Sequence, residues 1–111
     1  MRDTNFQSCI AACNECADAC DFCAGACLRE PEVKALSRCI ALDMDCAQLC
    51  RTAAAIMARA SDHAAAVCRR CAQLCDACAA ECGGHPMDHC QQCSDACRAC
   101  AQACEQMSMA A

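Results

Sequence analysis

The chain has 111 residues, 14 acidic and 9 basic side chains, a net charge of −5, and 19 cysteines. Leu, Ile, Val and Phe together number only 12 against 27 Ala, with no Trp or Tyr, so most of the 58% hydrophobic fraction is sulfur and methyl. This excludes a core of large apolar side chains, each worth roughly 1.5–3 kcal/mol when buried; the acidic balance excludes nucleic acid and anionic membrane as partners, and no apolar run of about 18 residues is present to span a bilayer.

The first predicted helix covers approximately residues 4–28, with Asp3 or Thr4 as its cap. It carries Cys9, Cys13, Cys16, Cys20, Cys23 and Cys27, whose steps alternate 4 and 3. That alternation averages close to the helical repeat and matches no strand, so the sulfurs form one stripe down one face. The opening MRDTNFQSC has an acid at Asp3 and no apolar stretch, so neither a secretory signal nor a twin-arginine leader is expected. The chain is expected in the cytosol.

The second predicted helix covers approximately 32–58, with Pro31 and Glu32 suiting its first turn. Its cysteines are only Cys39, Cys46 and Cys50. Its inward stripe reads Leu36, Cys39, Leu42 or Asp43, Cys46, Cys50, Ala53 and Met57, so this wall is partly ordinary core. Asp43 is expected on a solvated flank.

Ser61 and Asp62 are N-cap candidates for the third helix, approximately 62–82, and Gly83–Gly84 is expected to stop it through a left-handed residue. It bears Cys68, Cys71, Cys75, Cys78 and Cys82. The fourth helix, approximately 87–106, follows His85–Pro86 and bears Cys90, Cys93, Cys97, Cys100 and Cys104. The repeat C-x2-C-x3-C recurs in the first, third and fourth helices. Short links make sequential helices antiparallel neighbours. The prediction is an all-α, up-down-up-down four-helix bundle over 1–111 with a cysteine-lined core.

Cysteine as a small hydrophobe explains one or two buried positions, not 19 in phased stripes. Intrahelical disulfides fit poorly, because side chains three or four apart point along one stripe rather than at each other; bridges between helices remain available on oxidation. Metal is the better use. A closed zinc site takes four ligands, and these stripes run on past four; the iron–sulfur spacing C-x2-C-x2-C-x3-C-P is absent. Soft thiolates in bulk select Cu(I), which accepts two or three sulfurs and bridging thiolates. If each Cu(I) takes about two sulfurs and each sulfur about two ions, the ratio approaches one ion per cysteine. Exchange of a thiol proton for Cu(I) keeps the charge constant, so the bundle can fold before it is loaded.

The segment CRRCAQLCDACAAECGGHPMDHCQQCSDACRACAQAC, from Cys68 to Cys104, resembles the four-helix-bundle copper storage proteins, and the likeness extends over the whole chain. The resemblance implies a cytosolic homotetramer that stores many Cu(I) ions in each bundle. It also implies loading at the end that holds the first-to-second and third-to-fourth links. The bundle topology gathers Cys27, Cys39, Cys82, His85, Met87, His89 and Cys90 at that end. His85, Met87 and His89 are therefore candidate weaker ligands at a mouth, His89 foremost because it directly precedes Cys90. At the other end His63 reads as a solvated first-turn residue, and Met57, Met107 and Met109 as plug or tail. Arg69, Arg70 and Glu81 read as solvated face. No catalytic constellation is visible, so no enzyme is expected. The competing functions are a copper chaperone, which needs one or two accessible sulfurs, and a metallothionein-like Zn(II) or Cd(II) thiolate buffer, which would saturate near a quarter of the cysteine count.

Overall fold

Alanine favours helix intrinsically, and each helix here carries a sulfur stripe that is stable only when buried against the others. The computed structural model describes residues 4–110, and the side chains of 6–109. Its helices are α1 (Thr4–Leu28), α2 (Ser37–Ala58), α3 (Ala64–Gly83) and α4 (Asp88–Ala110). α1 packs against α2 and α4, and α3 against the same two; across the diagonal, α2 and α4 meet through side chains in the lumen, Cys50 with Cys100 and Asp43 with Cys93. Cys9 meets Cys104 and Cys27 meets Cys90, so α1 and α4 run antiparallel. Cys46 meets Cys75 and Cys39 meets Cys82, so α2 and α3 do too. The predicted up-down-up-down bundle is the observed one, a rod of 48 × 18 × 18 Å. No described helix is long and apolar enough to cross a membrane.

Small side chains let the helices close on a narrow lumen. Ala17, Ala47, Ala72, Ala79 and Ala101 are buried where neighbours meet. Between α3 and α4 even a methyl would be tight: a Cβ on Gly83 would sit 3.0 Å from Ser94 Oγ. Ser94 is itself buried and donates to the Ala79 carbonyl at 2.9 Å, a bond that a shift away from Gly83 would strain.

The helix ends depart from expectation in four places, one being α4, which runs on to Ala110 rather than ending near 106; Asp3 lies outside the described residues. Pro31 and Glu32 do not open α2; a 3-10 turn, Val33–Leu36, intervenes and carries Leu36 into the core. His63, not Ser61 or Asp62, precedes α3, and Ser61 supports it by accepting the His63 amide at 3.1 Å. Gly84 has φ −80°, so no left-handed glycine ends α3; its amide instead closes a tight turn onto the Glu81 carbonyl. The left-handed residue is Ala60, at φ 54°, just past α2. A side chain there costs about 1 kcal/mol that glycine avoids. Ala60→Gly is therefore expected to raise the stability of the metal-free protein by about 0.5–1 kcal/mol, seen as a higher urea midpoint at unchanged slope.

Candidate metal centre

Every cysteine is buried and free, none more than 1% exposed. The sulfurs form a connected path along the lumen. Cys9 contacts Cys104 at 3.6 Å, which contacts Cys13 at 3.7 Å, which contacts Cys100 at 3.6 Å. Cys50 then joins Cys100 at 3.8 Å and Cys75 at 3.7 Å, and Cys46 joins Cys75 at 3.6 Å. Cys16, Cys97, Cys20 and Cys93 continue it in steps of 3.6–3.9 Å. Cys71 adds to this path from α3 at 3.6 Å from Cys50. Cys68 is buried near its far end.

These spacings suit a d10 ion. With metal–sulfur bonds of ~2.3 Å, a trigonal site sets sulfurs about 4.0 Å apart and a linear one about 4.6 Å. The i, i+4 pairs Cys16–Cys20, Cys23–Cys27, Cys46–Cys50, Cys71–Cys75, Cys78–Cys82 and Cys93–Cys97 stand 3.8–4.0 Å apart. Quartets such as Cys13, Cys71, Cys100, Cys104 and Cys16, Cys46, Cys50, Cys75 hold all four sulfurs within 4.8 Å of one another. Cys16, Cys46, Cys20 and Cys97 each belong to more than one quartet, so a thiolate there can bridge two ions.

Asp43 corrects the sequence reading. It is fully buried rather than on a solvated flank. Its Oδ1 accepts from the thiols of Cys78 at 3.2 Å, Cys93 at 3.2 Å and Cys82 at 3.3 Å, and its Oδ2 from Cys39 at 3.8 Å. Four thiol donors from three helices stand in for water around the carboxyl. Burial nevertheless pushes its pKa up to about 8, because the charged form is poorly solvated there. Asp43 joins the long sulfur path to a last group that includes Cys39 and Cys82, 3.0 Å apart.

That last group lies at the end of the bundle that holds the α1–α2 and α3–α4 links. Cys23, Cys27 and Cys90 make a triangle with sides of 3.8, 3.8 and 3.9 Å. His89 Nδ1 stands 3.5 Å from Cys23, 3.8 Å from Cys27 and 3.6 Å from Cys90. Burial holds the Cys27 and Cys90 thiols above their ordinary range, so they are neutral until a metal displaces the proton. His89 is thus brought to the sulfurs. His85 is not: its Nε2 meets Glu81 at 2.8 Å, and it has no sulfur partner among the described residues. Met87 packs half-buried against the edge of the sulfur core. Glu81 is only a quarter exposed and also pairs with Arg38, so it is not the open, solvated face expected of it. Arg69 and Arg70 are exposed.

The opposite end buries two thioethers. Met57 is fully buried and Met107 is 3% exposed, whereas His63 and Met109 lie on the surface.

The chain is similar to known proteins over most of its length. Residues 2–109 match the family described as copper storage protein. A cysteine-rich protein of Bacillus subtilis strain 168, YhjQ, is 43% identical over 83 residues, covering 75% of this chain and 77% of that protein. The Cu(I)-bound copper storage protein BsCsp3 of Bacillus subtilis superposes with a TM-score of 0.90 at 42% identity, over 94% of this chain and 98% of that one. A cytosolic copper storage protein from Streptomyces lividans, loaded with five coppers, superposes with a TM-score of 0.93 at 42% identity, over 96% and 93%.

Proposed function

The chain belongs to the copper storage protein family, and on that premise we propose that its lumen stores Cu(I) at roughly one ion per cysteine. The observation that carries this is the connected path of buried thiols, in which Cys16, Cys20, Cys46 and Cys97 each belong to more than one quartet and so can bridge ions. Each ion enters by displacing a thiol proton, so RS–H and Cu(I) become RS–Cu and a released proton. The lumen stays near neutral throughout, which matters because an unpaired thiolate in this dry interior costs several kcal/mol.

The proposed ligands are all 19 cysteines, with His89 as a nitrogen donor at the mouth. Met87, half-buried at the same end, is a weaker sulfur ligand in passing. His85 serves the rim through Glu81 rather than the metal. Asp43 accepts hydrogen bonds from the thiols between mouth and lumen. Storage requires no reaction, and no catalytic role is proposed. The compartment is the cytosol, as for the Streptomyces lividans protein. We extend the proposal to a homotetramer, supported by Phe22 and Met44, which stand 62% and 58% exposed on the outer faces of α1 and α2; light scattering after size exclusion tests it.

Titration of reduced, metal-free protein with Cu(I) against a chelator, under anaerobic conditions, tests the main reading. Saturation is expected near one ion per cysteine. Saturation near five ions, the count for tetrahedral sites of four sulfurs, would point to a Zn(II)-type buffer. One or two ions would point to a chaperone.

A further inference from the structure

We propose that Glu30 is a positioning residue for copper uptake: it fixes the His89 ring so that Nδ1 faces the sulfurs of Cys23, Cys27 and Cys90 as a bare lone pair. The proposal rests on the storage reading and names the group that prepares its mouth.

Glu30 lies on the link after α1, and its Oε1 is 3.1 Å from His89 Nε2. A carboxylate offers acceptors only, so Nε2 is the donor and carries the ring proton. A neutral imidazole has one ring proton, which leaves Nδ1 free to bind. The contact is sheltered: the His89 side chain is 13% exposed and that of Glu30 32%. For bonds of ~2.3 Å to sulfur and ~2.0 Å to nitrogen, a tetrahedral or trigonal ion sets sulfur and nitrogen about 3.5–3.7 Å apart. The three observed separations are 3.5, 3.8 and 3.6 Å. The ring therefore already stands where a metal would want it, with no rotation needed.

His85 supplies an internal contrast. A carboxylate, Glu81, also holds its Nε2, at 2.8 Å, but Glu81 is shared with Arg38 and no sulfur faces the ring. Only at His89 does the tether on one nitrogen aim the other at thiols. Without Glu30, the ring proton is free to move to Nδ1 and be donated to a neighbouring sulfur, which blocks the lone pair. Outer partners of this kind are worth about 10–100-fold in metal affinity or activity where a histidine binds metal.

The test uses the full chain, 15N-labelled, reduced and free of metal. Long-range proton–nitrogen correlation at about pH 8, where an ordinary imidazole is neutral, reads which ring nitrogen of His89 carries hydrogen. The unmodified protein is expected to show the Nε2–H form. Glu30→Ala is expected to shift the ring towards Nδ1–H and to slow the first phase of Cu(I) transfer from a chelator by about 10-fold, at unchanged final capacity. Glu30→Gln, which keeps an acceptor oxygen, is expected to restore both. Glu32→Ala, which removes an exposed carboxylate two residues away, is expected to change neither. A Glu30→Ala protein with the original ring form and transfer rate overturns the proposal. So does equal slowing by Glu32→Ala, which assigns the effect to charge alone. The ring form is read without copper, so it stands or falls separately from the copper count.

Discussion

Reduced, metal-free protein is expected to lose stability as the pH rises from about 5 to about 8, and Asp43→Asn to remove most of that loss. The carboxyl of Asp43 is raised from 3.8 to about 8 in the folded chain, chiefly by burial. The unfolded chain releases this proton near the ordinary carboxyl value, while the native one keeps it. Between those limits the native state binds more protons, so stability is full at low pH and falls as the pH climbs through the folded value. At roughly 1.4 kcal/mol per pH unit, the change over this window amounts to several kcal/mol. Asn has the same shape and no proton to lose. Urea unfolding at a series of pH values, under anaerobic conditions, reads the slope in both proteins. A flat wild-type profile, or an equal slope in Asp43→Asn, would show that the thiols solvate the carboxylate well enough to keep it charged.

His89→Ala is expected to slow copper transfer, in either direction, by about 10-fold or more, while capacity falls by only the few ions near the mouth. The imidazole Nδ1 stands 3.5–3.8 Å from all three sulfurs of the triangle formed by Cys23, Cys27 and Cys90. His85→Ala is expected to do much less, because that ring is turned to Glu81. At the far end, Met57→Ala and Met107→Ala remove fully packed thioethers and are expected to destabilise the bundle by about 2–5 kcal/mol each without slowing transfer. Stopped-flow transfer from a chelated donor separates these cases. Unchanged rates in His89→Ala, with slowed transfer in a Met57, His63 and Met107 variant, would move loading to the opposite end.

The stripes of sulfur were legible in the sequence because cysteine is rare and the alternation of 3 and 4 has one geometric meaning. Asp43 was not read correctly. Leu42 and Asp43 are both in phase with Cys39 and Cys46, and apolar character favoured Leu42. Yet a signal was present: the steps from Cys39 to Asp43, Cys46 and Cys50 are 4, 3 and 4, the same alternation that α1 keeps with cysteine throughout. Asp43 occupies a cysteine slot. The alternation continues through Leu36, Ala53 and Met57, and all three are buried. What the sequence lacked was the partners, since Cys78, Cys82 and Cys93 reach Asp43 only through the bundle. The rim had the same difficulty. His85 and His89 are four residues apart in one link and helix start, and nothing local says that one turns to Glu81 and the other to sulfur.

The buried methionines at the far end give the store a history. If copper loads at His89, as proposed, and none passes the buried Met57 and Met107, the lumen has one door and fills as a stack. Ions acquired first are pushed deepest and are the last to leave, while the newest arrivals sit nearest the solvent. Withdrawal is then ordered by age as well as by affinity, and two copper isotopes supplied in succession would emerge in reverse.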